Sequence, residues 1–307
     1  MAVVLAALLP VFLLIVMGFW LRHSLLTEDA HWIGLERLVY YILFPALLIE
    51  TLARANLTTV PIGGVGGALM LAVLTMGAFC LLIRRPLQSA LDVDGPAFTS
   101  IFQAATRWQT FVALAVAGNL YGDLGIALAS VAMVAMIPLL NVMSVAVLAH
   151  YARPQRLSWP QILLTVARNP FIWACVIGLA LNVLNVPVPK VAYDFANALG
   201  RSSLAIGLLV VGAGLQLSMI RPTAPVTLTV ILKLIAMPSI AVSYALLFGL
   251  SGTNLAVVAC CASVPAASNA YVLAKQMGGD APLLAQILTL QTILAVLTMP
   301  IVISLVR

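Results

Sequence analysis

The chain has 307 residues, 63% hydrophobic and 8% charged, with a formal net charge of +6. Soluble domains carry roughly 25% charged residues, so this composition and a mean hydropathy of +1.14 exclude a water-surrounded fold and point to lipid as the solvent. The basic residues are scattered and form no aromatic-basic patch, which excludes nucleic acid as the partner.

A transmembrane helix needs about 20 apolar residues. Apolar runs bounded by charge, Gly/Pro or polar clusters predict an all-α membrane protein of ten spans, at 2–21, 33–53, 62–83, 95–118, 124–149, 169–185, 193–217, 225–249, 253–276 and 282–306. The first has no basic region ahead of it and runs to membrane length, so it reads as a retained span and not a cleaved leader. In the second, Glu50 and Arg54 are four apart and predict a local ion pair. The third carries Gly63 and Gly67 at the spacing of close helix packing.

The fourth span is interrupted by Thr106-Arg107-Trp108-Gln109-Thr110, and the fifth carries Pro138 late in its course. A polar connection follows, with 161–168 expected as a short interfacial helix. In the seventh span Asp194 and Arg201 could pair, and in the eighth Lys233 could snorkel to the surface or act as a supporting charge. The ninth span is interrupted by Ser263-Val264-Pro265-Ala266-Ala267-Ser268-Asn269, and the tenth carries Pro300 late. Pro45, Pro138, Pro238 and Pro300 read as kinks. Cys80, Cys175, Cys260 and Cys261 lie in apolar runs without metal or redox spacing, so no metal or cofactor is expected.

The fourth and ninth spans match further. Each ends at Gly-Asp, as Gly122-Asp123 and Gly279-Asp280, at similar distances from its interruption. The chain therefore divides into a first five-helix repeat (1–149), a cytoplasmic linker (150–168) and a second five-helix repeat (169–307). With the N-terminus outside, eight basic residues at span ends fall on the cytoplasmic side: Arg22, Arg84, Arg85, Arg153, Arg156, Arg168, Arg221 and Lys275. Arg54, Lys190 and Arg307 fall on the other. This asymmetry predicts both termini on the non-cytoplasmic side. An odd number of spans per repeat then inverts one repeat relative to the other.

Arg107 and Pro265 each lie 12 residues into their spans, roughly 18 Å in, near the middle of a hydrocarbon core about 30 Å thick. They enter from opposite faces. Two half-helix N-termini would then surround one small volume suited to an anion. Arg107 is either a carboxylate ligand through its fork of donors or a support that satisfies loose carbonyls. Gln109, Thr110, Ser263, Ser268 and Asn269 either bind substrate or cap freed backbone, Pro265 opens the helix, and Trp108 either stacks on substrate or packs. Catalysis is not expected. Tyr193-Asp194 and Gly278-Gly279-Asp280 resemble an intramembrane aspartyl protease pair, but the topology sets them at opposite membrane edges, whereas that chemistry needs close approach.

Several motifs resemble the auxin efflux carrier family, whose bacterial members include malate and malonate permeases. They are Leu9-Pro10-Val11-Phe12-Leu13, the run from Leu38 through Phe44-Pro45 to Leu48, and Arg107-Trp108-Gln109-Thr110-Phe111. Pro138-Leu139-Leu140-Asn141, Arg168-Asn169-Pro170 and Ser268-Asn269-Ala270-Tyr271 with Gly278-Gly279-Asp280 complete the set. Gln109 stands where family members commonly carry Asn, and Ala115 where many carry Pro. By similarity to plant PIN carriers and bile-acid transporters, the resemblance implies two inverted five-helix repeats with broken, crossing fourth and ninth helices. It also implies a scaffold of helices 1, 2, 6 and 7, a transport domain of helices 3–5 and 8–10, elevator-like movement and a homodimer. The expected function is secondary transport of small organic anions across the cell inner membrane. A non-transporting receptor for the same ligands, or a passive channel, is the alternative.

Overall fold

The computed structural model describes residues 2–54, 62–152 and 170–306. Residues 153–168 of the expected linker, with Arg153, Arg156, Arg168 and the helix at 161–168, lie outside the described residues, as does Arg307. The elements are α1 (Ala2–Ser24), α2 (Asp29–Leu38), a π turn (Val39–Leu43), α3 (Phe44–Arg54), α4 (Ile62–Leu82), α5 (Arg84–Leu91), α6 (Gly95–Thr106) and α7 (Thr110–Tyr151). After the connection come α8 (Pro170–Val183), α9 (Lys190–Ala213), α10 (Ala224–Ile231), a second π turn (Leu232–Ala236), α11 (Met237–Leu247), α12 (Gly252–Ser263), α13 (Asn269–Met277) and α14 (Ala281–Leu305). All regular structure among the described residues is helical, and seven stretches are long and apolar enough to cross a membrane.

One of those stretches, Gly95–Tyr151, counts 57 residues, about 85 Å if straight and far beyond one crossing. It does not run straight. Non-helical backbone interrupts it at 107–109, and it turns at Gly122, whose φ of 59° and ψ of −145° favour a residue without Cβ. A Cβ on Gly125 would stand 2.1 Å from the Ala117 carbonyl, an approach impossible eight residues along a straight helix, where the separation is about 12 Å. The two arms of α7 therefore fold against each other.

Both π turns have the same local cause. Each ends two residues ahead of a proline, Pro45 or Pro238. Proline lacks an N–H and clashes with the carbonyl four residues back, and a wider turn absorbs both defects. Hence neither proline produces an open break.

The packing falls into two groups. α1 lies on α9, and α3 lies on both α8 and α9. At the α1–α9 crossing a Cβ on Gly212 would meet the Ile15 carbonyl at 1.8 Å, so the two backbones are in contact there. The other group joins α4, α6, α7, α10, α11, α12, α13 and α14, with α4 on α7 and α11, and α12 on α7, α11 and α14. Between the groups, Phe111 of α7 faces Gly207 of α9 and stacks edge-on against Phe44 of α3, with centroids 4.9 Å apart. In the third predicted span Gly64 and Gly67 meet Leu250 and Phe248, while Gly63 faces open space, so its close packing does not use Gly63.

The ends of the elements are also fixed. Asp94 caps α6 by accepting from the Ala97 N–H at 2.8 Å, and Asp280 caps α14 by accepting from Leu283 at 2.9 Å. The Asp280 N–H donates to the Pro96 carbonyl at 3.2 Å, and the Ser100 hydroxyl donates to the Asp280 carbonyl at 2.8 Å. The exit of α13 is thereby tied to the entry of α6. Glu50 and Arg54 form the expected pair at 2.9 Å. Asp194 and Arg201 form no ion pair among the described residues, and Arg22 pairs with Asp29.

Candidate functional site

Both interruptions are open backbone. After Thr106 the chain is extended at Arg107 (φ −68°, ψ 159°) and Gln109 (φ −88°, ψ 98°), and helix resumes at Thr110. After Ser263 it is extended at Val264 (φ −66°, ψ 152°), and helix resumes at Asn269. They meet. The Gln109 N–H donates to the Pro265 carbonyl at 2.8 Å, and the Gln109 side-chain amide donates to the Ser268 hydroxyl at 3.0 Å. Neither α7 nor α13 is capped by the side chain of its N-cap residue, which leaves two positive helix ends at one junction.

Arg107 sits at this junction, 6% exposed. Its Nη2 donates to the Asn269 side-chain oxygen at 3.2 Å and to that of Asn141 at 3.3 Å. Its Nη1 has no hydrogen-bond partner among the described residues. Both bonds are long and end on neutral amides, so the guanidinium is oriented but not neutralised. Burying a charge in that condition costs several kcal/mol, which an incoming carboxylate would offset through the vacant donor.

The junction forms the floor of a cavity of about 700 Å³. Arg107, Trp108, Gln109, Thr110, Ser268 and Asn269 all line it. Its walls rise through Glu36 and Arg37 in the last turn of α2, Tyr40 in the π turn that follows, Phe171 at the start of α8, Asn141 and Val145 in the later arm of α7, Val210 and Val211 at the end of α9, and Val272 and Leu273 of α13. Those element ends lie together, so the cavity extends from the junction toward one end of the molecule. The same end holds Gly95, whose added Cβ would meet the Tyr151 carbonyl at 2.2 Å, and Arg84, whose guanidinium stacks 4.1 Å from the Tyr151 ring centroid.

Three predicted residues lie outside the cavity lining. The Ser263 hydroxyl donates to the Cys260 carbonyl at 3.0 Å and finishes α12. Pro265 contributes its carbonyl to the junction. Lys233 is fully buried and reaches no surface, so it does not snorkel.

Four contributors were not evident from sequence. Asn141 holds Arg107, and Tyr40 and Glu36 share its cavity. The fourth, Gln291 of α14, is 0% exposed; its oxygen accepts from the Ala266 N–H at 3.0 Å and its amide donates to the Ala104 carbonyl at 3.1 Å. One side chain thus satisfies backbone near both interruptions, which solves the problem that unpaired peptide groups pose at membrane depth. A Gln in an apolar helix is the one available signal, since a buried amide needs partners, and α14 carries two, Gln286 and Gln291. Among the described residues no cluster of His, Cys, Asp and Glu could hold a metal ion.

A family model described as "Membrane transport protein" matches residues 3–303. An uncharacterized transporter of Methanothermobacter thermautotrophicus is 25% identical over 306 residues, covering 95% of each chain.

Proposed function

The chain belongs to this membrane transport protein family, the auxin efflux carrier type, and from that premise we propose that it is a secondary transporter of small organic anions, carboxylates above all. The observation that carries the proposal is the junction of two interrupted helices, with the under-neutralised Arg107 on the floor of a one-sided cavity. In this reading Arg107 and the N-termini of α7 and α13 neutralise the carboxylate, and Gln109, Ser268 and Asn269 orient it. Trp108 and Thr110 line its body, while Ser263 and Pro265 shape the break.

The proposed architecture has ten crossings, reached by counting the reversal at Gly122 and joining α6 to the first arm of α7 and α12 to α13. They form two inverted repeats, 1–149 and 169–307, joined by 150–168. Support comes from the approach of the two interruptions and from the tie between the exit of α13 and the entry of α6. The two packing groups support a scaffold of helices 1, 2, 6 and 7 against a transport domain of helices 3–5 and 8–10, moving as an elevator. We place the protein in the cell inner membrane as a homodimer with both termini on the non-cytoplasmic side. Arg22 and Arg84 at the cavity end agree with that orientation and make the cavity inward-facing.

Purified protein in liposomes tests the function with a panel of radiolabelled mono- and dicarboxylates. Saturable uptake with counterflow of one or more acids is expected. Saturable binding without counterflow would replace the carrier with a receptor, and non-saturating flux would replace it with a channel.

A further inference from the structure

Lys233 is 0% exposed, and its Nζ has no hydrogen-bond partner among the described residues. It lies nine positions into the apolar stretch Ala224–Leu247, about 14 Å along the helix and so near the middle of a core about 30 Å thick. Its direction follows from Pro238. Lys233 sits five positions ahead of that proline, within the π turn, as Tyr40 sits five ahead of Pro45 within the other. Tyr40 is turned toward the substrate cavity; Lys233 is turned into the interior behind the junction.

The surroundings there suit a cation. The π turn packs against α6, α12 and α14, and α12 carries the buried Cys261 in its last turn. Both α6 and α12 stop at the interruptions, so each presents a partial negative C-terminal end. Gln103, in the last turn of α6, is also fully buried, with both amide atoms unpartnered among the described residues. In broken-helix carriers such half-helix C-terminal ends hold Na⁺ or a proton. The elements packed on the turn (α6, α10, α11, α12 and α14) carry no Asp, Glu, Arg or His. Their titratable groups are Cys260, Cys261 and Tyr244, and the Tyr244 hydroxyl pairs with Thr75 at 2.9 Å. An ammonium ion here meets no carboxylate from these elements to balance it.

We propose that Lys233 is the proton-binding site of the carrier, and that it takes the place of a bound alkali ion. The lone pair on Nζ accepts a proton from water, forming an ammonium group, and returns it to water later in the cycle; no other bond changes. Anion and proton then favour each other, because a carboxylate that neutralises Arg107 removes the positive charge that otherwise opposes a second buried cation. The inference rests on the carrier reading above. It makes transport a proton–anion symport independent of sodium.

Calorimetric titration with malonate and with phenylacetate, each in two sodium-free buffers of different ionisation heat, measures protons taken up on binding. The wild-type protein should take up to about one proton per acid bound. Lys233→Met should bind with no uptake, and so should Lys233→Arg, whose guanidinium stays charged. Binding without proton uptake by the wild type, or equal uptake by Lys233→Met, overturns this inference and leaves the carrier reading intact. Failure of both acids to bind overturns the anion site and this inference with it. Should the variants not fold, ¹⁵N-lysine spectra of the wild type serve, because Lys190, Lys233 and Lys275 are its three lysines. The Lys233 side-chain signal should change when malonate is added, and an unchanged signal in the presence of bound malonate rejects the proposal.

Discussion

The Gln109 N–H donates to the Pro265 carbonyl at 2.8 Å, so the backbone of one helix interruption is hydrogen-bonded to the backbone of the other. The two residues lie in separate halves of the chain, and each would otherwise leave a polar peptide group stranded at membrane depth. Their pairing makes the junction self-sufficient in that bond. Arg107, two positions before Gln109, keeps a donor to spare.

Arg107→Gln should weaken carboxylate binding roughly 10- to 100-fold, because a charge-assisted hydrogen bond contributes about 1.5–3 kcal/mol. Arg107→Lys should recover only part of the loss, since an ammonium group cannot present a planar fork. Uptake into liposomes across a concentration series measures both. Unchanged affinity in Arg107→Gln would remove the guanidinium from the site.

Gln291→Met should lower the melting temperature in detergent by several degrees. It leaves the Ala266 N–H and the Ala104 carbonyl without their present partner, at about 1–3 kcal/mol for each orphaned group. Gln291→Glu keeps an acceptor for Ala266 but offers Ala104 no donor when ionised, and it adds a buried charge. It should therefore be less stable than the wild type at neutral pH and partly recover in acid, which a melting series against pH reads directly.

Gly212→Val should abolish a monodisperse size-exclusion peak, because the new Cβ would stand 1.8 Å from the Ile15 carbonyl of α1. Gly63→Ala should stay within about 0.5 kcal/mol of the wild type or gain stability, as nothing lies within 4 Å of its added Cβ. A pair of normal peaks would show that α1 and α9 can separate without cost.

Val145→Cys and Leu273→Cys should react with a membrane-impermeant thiol reagent from one face of oriented vesicles only. Both positions line the cavity above the junction. The four native cysteines are buried and should give little background. Equal labelling from both faces would contradict a one-sided cavity.

The interruptions were legible because each places polar residues inside an apolar run, with Pro265 as a breaker in the second, a purely local signal. Glu50 and Arg54 were legible for the same reason, being one helical turn apart. Asn141 and Gln291 were not: they touch the junction from 34 positions beyond Arg107 and 25 beyond Ala266, and helical periodicity says nothing about which neighbour a buried amide will meet. Lys233 was expected to have a route to the surface. The turn ahead of Pro238 points it inward instead, an effect that depends on how the proline's missing bond is accommodated. Of the glycine pair in the third span, Gly67 packs against Phe248 and Gly63 does not, since spacing identifies a small-residue stripe but not which of its members will be covered.

The bonds from Asp280 to Pro96 and Ser100 limit how the molecule can open. If α6 and α13 swung apart like separate gates, both bonds would break, and the links from Gln109 to Pro265 and Ser268 would be lost as well. A displacement that carried the stapled pair together would preserve all of them and would instead slide the Phe111 ring across the smooth surface at Gly207. Cargo held at Arg107 would ride inside an unchanged cassette, and the membrane barrier would shift around it.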